Sequence, residues 1–337
     1  MLTAPRHPDH LNHKEAIVLI AAVCKIAGSA SFIDDVRADL SAHGILGAVR
    51  RRDTPALFDW MVATLSYQGI SDEVAAGYMR DHGQPRFYDL QAKLSRAWPC
   101  PKLQSYWHYA DCGYRKSART CGQAALLRHC PVPTHDLRNG RLAQMTYSLF
   151  LFVRDVMGSD IVGWIDRQLA DVGGGCGNRV EHMASALVDP LCHVYGMSDK
   201  VVRMMLAELL IGAAGRTRPD WMQVGGSLIA IDTLVHNFLV RTGVQAALGM
   251  SHPYGPACYG PSGCASVIMA AAAEIDATTF NSDYPRHFPR FVQNSIWRYC
   301  AQRHFDICNG IKITADHRCR QLHCRLFKKC ARLSTVK

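Results

Sequence analysis

Apolar residues recur along the chain every three or four positions far more often than every second one. Clear helical faces cover residues 56–67, 143–156, 161–170, 201–214, 233–242 and 266–275, each long enough to lay an apolar stripe against a core. Strand-like alternation is nearly absent, so an all-α fold is expected. Several starts carry capping chemistry. Asp53-Thr54-Pro55 sets a carboxylate before a first-turn proline, and Ser71-Asp72-Glu73 opens the next helix. Glycine and proline break the pattern at residues 81–85, 98–101, 130–140, 173–177 and 251–263. The stretch from about 98 to 140 holds four cysteines among basic and aromatic residues and reads as an insertion between helical units.

With 337 residues and 48% apolar content the chain can build one large or two medium domains around an ample core. Its formal net charge of +10 and pI near 9.0 favour a polyanionic partner, because cations set on phosphates release condensed counterions. A basic protein with no nucleic-acid role is the alternative. The run 16–24 (AIVLIAAVC) is the one candidate leader. Lys25 interrupts it, and Ile17, Leu19, Ile20, Val23 and Cys24 share one broad helical face, so an amphipathic helix is the better reading. No stretch of about 18 uncharged apolar residues occurs, so no membrane span is expected. A cytoplasmic protein with reduced thiols follows, and the 14 cysteines read as metal ligands plus buried thiols rather than disulfides.

Two residues stand out chemically. Lys200 follows the turn Val194-Tyr195-Gly196-Met197-Ser198-Asp199, and Asp232 follows the apolar run Leu228-Ile229-Ala230-Ile231 and precedes a helix. A hairpin of two helices can aim backbone N–H groups at a phosphate where a glycine lets the chain approach, and Gly196 meets that need. Taken singly, Lys200 reads equally as a phosphate contact and Asp232 as an ordinary N-cap.

With Lys200 fixed, residues 194–202 (VYGMSDKVV) align without a gap on the LPGVGxKTA pattern of the helix-hairpin-helix DNA glycosylases, the endonuclease III superfamily. Valine stands for the leading leucine, Tyr195 for the proline and Ser198 for the second glycine. Residues 231–235 (IDTLV) resemble that family's VDTHV run, with Arg241-Thr242-Gly243 closing the helix. Residues 57–68 resemble its first barrel helix, which makes Gln68 a candidate for the base pocket or the DNA gap. The lysine-to-aspartate separation resembles the archaeal 8-oxoguanine glycosylase branch.

The resemblance covers most of the chain from residue 54 onward and leaves the 98–140 insertion without a counterpart. It implies that Lys200 attacks the anomeric carbon and forms a Schiff base, while Asp232 stays ionised beside the sugar cation. Tyr195, Gly196 and Ser198 would meet the phosphates. His236 and Asn237, one turn beyond Asp232, are further candidates to face DNA.

The C-terminus carries Cys308, Cys319, Cys324 and Cys330 in the spacing C-x10-C-x4-C-x5-C among arginines and lysines. Four thiolates can close on a [4Fe-4S] cluster or on zinc. Many endonuclease III proteins end in a cluster with spacing C-x6-C-x2-C-x5-C, which favours iron–sulfur here, with Cys300 as an alternative to Cys308. A second set, Cys100, Cys112, Cys121 and Cys130, lacks the close pairs of a zinc knuckle and reads as buried thiols, a zinc-stapled module being the alternative. Tyr106, Trp107 and Tyr109 read as core or as a stacking surface for an extruded base. His252, Cys258 and Cys264 fall in a proline- and glycine-rich loop and are assigned only a structural role.

The expected protein is a two-lobed all-α glycosylase acting as a monomer on double-stranded DNA that contains a modified base. Residues 1–53 join the second lobe, 54–230 form the helical barrel, and 231–337 complete the second lobe. The resemblance implies a bifunctional glycosylase and lyase, with 8-oxoguanine the first substrate expected and a modified pyrimidine the other. A monofunctional glycosylase and a non-catalytic, metal-stapled DNA-binding protein are the rival readings.

Overall fold

A computed structural model describes residues 11–66, 72–95, 100–109, 112, 113, 121, 132, 141–173, 178–215, 217–308 and 317–335. Among them there is no strand. The helices in chain order are α1 (His13–Ala27), α2 (Phe32–Ala42), α3 (Ile45–Arg51), α4 (Thr54–Ser66), α5 (Asp72–His82), α6 (Phe87–Leu94), α7 (Tyr106–Tyr109) and α8 (Arg141–Asp155). They continue with α9 (Ile161–Ala170), α10 (Arg179–Cys192), α11 (Asp199–Ala213), α12 (Pro219–Ser227), α13 (Thr233–Arg241), α14 (Val244–Ala247), α15 (Cys264–Glu274) and α16 (Pro289–Cys300). The all-α expectation therefore holds, and the six periodic segments each became a helix within a few residues of their expected bounds. Capping explains the closest matches. Asp160 accepts the Gly163 N–H at 2.9 Å to open α9, and Asp53 accepts the Ala56 N–H at 3.1 Å at the start of α4.

The chain divides into two compact units, one made of residues 1–35 and 225–337, the other of 36–224. The first crossing falls after Asp35 rather than at residue 53, because α3 packs on α4 and α11 and so belongs with the middle of the chain. In the middle unit α4 is central. Its buried Leu57, Phe58, Met61, Val62 and Leu65 meet α6, α8, α9 and α11. Phe58, Phe87 and Phe150 join three of these helices with ring centroids 5.0–5.9 Å apart, and burying each ring stabilises by about 1.5–3 kcal/mol.

In the unit built from both chain ends α16 is central, flanked by α1, α13 and α15. The candidate leader is the buried helix α1, with Ala16, Leu19, Ile20, Val23, Cys24 and Ala27 facing inward. An Asn12–Glu15 capping box opens it, with bonds of 2.8 and 2.9 Å. No single described helix is long and apolar enough to cross a membrane.

Candidate functional site

The middle unit contains the expected hairpin. Helix α10 ends at Cys192, residues 193–198 turn the chain, and α11 leaves from an extended Ser198. Gly196 adopts φ +79°, the left-handed conformation that a side chain makes costly, so the turn needs glycine there. Ser198 sits at φ −129° and carries no such strain, so a serine in place of the family's second glycine is accommodated. The Tyr195 N–H donates to Ser148 Oγ at 3.0 Å, which pins the turn to α8. Lys200, half-buried, stands in the first turn of α11. Gln68 and Cys130 lie outside the described residues. Cys100 is buried, while Cys112 and Cys121 are half-buried. Of the three insertion aromatics, Tyr109 is core and donates to the Gln144 carbonyl at 3.0 Å, Tyr106 packs edge-on against Phe152, and Trp107 alone is well exposed.

Asp232 belongs to the other unit. Buried Leu228, Ile229, Ala230 and Ile231 lead into it as extended chain, and it caps α13, its Oδ1 accepting the Val235 N–H at 2.9 Å. The carboxylate is half-buried.

His236 faces away from any DNA role. It is 6% exposed, and its Nδ1 lies 3.3 Å from Cys264 Sγ and 3.8 Å from Cys258 Sγ. The expectation that it contacts DNA is corrected, because α13 turns its ring inward onto the loop 251–263. That loop brings His252 to the same point, with Nε2 3.5 Å from Cys264 Sγ. The ligand atoms of His236, His252, Cys258 and Cys264 all lie within 4.8 Å of one another, so these four residues can hold a metal ion. Sequence reasoning missed this group because its pattern, H-x15-H-x5-C-x5-C, contains none of the close pairs that mark zinc sites. The regular five-residue interval after His252 was the available signal.

A hydrogen bond from Cys264, aided by His236, pulls the Cys258 thiol down to about 4, and the same bond with burial pushes Cys264 up. Two sulfurs sharing one proton in a buried place are a site for a cation, which lets both ionise.

The C-terminal cysteines converge separately. Cys308, Cys319, Cys324 and Cys330 line one cavity with Phe238, Arg241 and Tyr299. The tail is tied down by Ala331 N–H to the Thr242 carbonyl at 3.0 Å and Leu333 N–H to the Arg241 carbonyl at 2.7 Å. Tyr299 Oη lies 3.1 Å from Cys324 Sγ. Burial and then the neighbouring Cys324 push the Cys330 thiol up to about 12, while a hydrogen bond from Cys300 and the charge of Arg241 lower Cys308. Cys300 thus partners Cys308.

Compared with protein-family models, curated proteins and solved structures, the chain matches none.

Proposed function

We propose that the protein is a DNA glycosylase with lyase activity, in which Lys200 is the nucleophile, Asp232 the supporting carboxylate, and the α10–α11 hairpin the phosphate anchor. One observation carries the reading. The residues that align with the helix-hairpin-helix pattern form a tight turn with a left-handed glycine and the first turn of α11 with the lysine in it, and helix α10 runs directly up to them. Two further features support it. One unit is made from both chain ends and the other from the middle of the chain, and an aspartate caps the helix after the apolar run.

In this reading the duplex is held mainly through phosphates, and a modified base is everted into a pocket. The Lys200 amine gives its electron pair to C1′ of the nucleotide. The bond from C1′ to the base breaks and its electron pair leaves with the base, which takes up a proton. Asp232 stays ionised and stabilises positive charge on the sugar. The C1′–O4′ bond of the adduct then breaks, the nitrogen's electron pair forming the imine while O4′ takes up a proton, and removal of a C2′ proton expels the 3′ phosphate. Water frees the lysine. The substrate proposed first is 8-oxoguanine in double-stranded DNA, with the protein acting as a monomer.

The tail cavity fits a [4Fe-4S] cluster held by Cys308, Cys319, Cys324 and Cys330. Four thiols of one chain line it, the number of cysteine ligands such a cluster takes. Such a cluster would tie the tail to α13 and α16. Arg241 in the cavity wall offsets its negative charge.

Borohydride trapping on an 8-oxoguanine duplex tests the proposal. Wild type should form a covalent protein–DNA adduct and Lys200→Ala none. An adduct that survives Lys200→Ala removes the lysine from its role, and base release without an adduct supports the monofunctional alternative. The hydrogen bond from Val235 to Asp232 favours a second reading, a metal-stapled DNA-binding protein in which that carboxylate is only a cap. Absence of base release from every duplex in a panel of single lesions would decide for it.

A further inference from the structure

The tail cysteines were visible in the sequence, but the His236 group belongs to a different part of the same unit and has its own chemistry. We propose that His236, His252, Cys258 and Cys264 form a structural zinc site that fixes the segment carrying Asp232. Zinc bonds of about 2.3 Å to sulfur and about 2.0 Å to nitrogen, arranged tetrahedrally, put sulfur–nitrogen edges at roughly 3.6 Å. The corresponding distances are 3.3 and 3.8 Å from His236 Nδ1 to Cys264 and Cys258, and 3.5 Å from His252 Nε2 to Cys264. Two imidazoles and two thiolates in a tetrahedral set select zinc among the common divalent ions. All four positions come from protein, which makes the site structural rather than catalytic.

The surroundings are those of a ligand set. His252 Nδ1 lies 2.9 Å from the Pro253 carbonyl, which holds its proton on that nitrogen and leaves Nε2 for the metal. The Gln245 side-chain amide donates to Cys264 Sγ at 3.1 Å and so stabilises a thiolate there. Cys258 and Cys264 are fully buried. The loop that supplies His252 and Cys258 also reaches the Asp232 segment. Tyr259 Oη accepts the Ile231 N–H at 2.9 Å, and the Tyr254 ring lies 5.7 Å from that of His236. His236 itself stands one turn beyond Asp232 on the same helix face. His236 and its partners are therefore positioning residues for Asp232, whatever reaction that carboxylate serves.

Elemental analysis and zinc-edge X-ray absorption of the full-length protein, purified after growth with added zinc, test the assignment. Wild type should carry one zinc per chain in a shell of two sulfurs and two nitrogens. Cys258→Ser and His252→Ala should each lose that zinc, whereas Cys324→Ser in the tail should keep it. Should the ligand variants fail to fold, Gln245→Leu, which touches no ligand bond, should weaken zinc affinity in a chelator competition by about 10- to 100-fold. A shell of four sulfurs, zinc retained in both ligand variants, or wild type that takes up no zinc would each overturn the assignment.

Discussion

Asp232 caps α13, and a pair of substitutions separates that role from the catalytic one proposed for it. Its Oδ1 accepts the Val235 N–H at 2.9 Å at the start of α13. Asparagine offers the same acceptor and caps helices as well as aspartate does, so Asp232→Asn keeps the bond and forfeits only the charge at the helix N-terminus, about 0.3–1 kcal/mol. Alanine forfeits both, about 1–2 kcal/mol in total. At roughly 2–4 °C per kcal/mol for a unit of this size, the melting temperature should fall by roughly 2–8 °C for alanine and by no more than about half of that for asparagine. In the proposed reaction the two variants should instead fail alike. Stabilising a sugar cation needs the negative charge, so both variants should lose base release by at least about 100-fold while binding the duplex nearly as wild type does. Circular dichroism melts and single-turnover excision on a lesion duplex supply the two readouts. Asparagine that excises at the wild-type rate, with alanine impaired only as far as its melting point falls, would refute the catalytic role and leave a cap.

Cys324→Ser should remove the broad visible absorption and most of the iron from the purified protein; a colourless wild type holding a second zinc would replace iron–sulfur with zinc in the tail. Gly243 at φ +83° has Ala331 Cβ 2.7 Å from where its own Cβ would stand, so Gly243→Ala should destabilise by about 2 kcal/mol or more in denaturant melts. Burial holds the Asp59 carboxyl above its usual range although it accepts the Phe87 N–H at 2.8 Å. A carboxyl raised in the folded state contributes stability that is present below its unfolded value near 4 and is lost as pH rises through the folded one. Asp59→Asn should therefore gain on wild type between pH 3.5 and pH 7 in denaturant melts, and a difference that does not change with pH would contradict this.

Helical periodicity made most of the fold legible, because an amphipathic stripe follows from local spacing alone, as in α9 and α4. The unit boundary was less legible. Residues 36–53 were expected in the second lobe with the rest of the N-terminal helices, whereas α3 packs on α4 and α11. The tail cysteines were found by their density in a short segment, which brings them together with little help from the fold. The His236 group needed three separate pieces of chain, a helix, a loop and the first residue of α15, to meet at one point. No local spacing encodes that meeting: His252, Cys258 and Cys264 read only as structural, and His236 as a residue facing DNA.

Helix α13 connects the His236 group and the tail cysteines, and its geometry shows how. Residues three and four apart share a helix face, so His236 follows Asp232 on one side, while Phe238, Arg241 and Thr242 lie together on another. The first side meets His252, Cys258 and Cys264. The second lines the cavity of the tail cysteines, and the carbonyls of Arg241 and Thr242 accept the N–H groups of Leu333 and Ala331. A nine-residue helix is too short to be stable alone in water, so its register depends on what grips it. Here each end has its own grip, and Asp232 sits at the end held by the imidazoles and thiolates. Loosening the loop 251–263 therefore acts on the carboxylate directly, through His236 and the Tyr259–Ile231 bond. Loosening the tail reaches it only through the length of α13, so the carboxylate should tolerate loss of the tail cluster better than loss of the site one turn away.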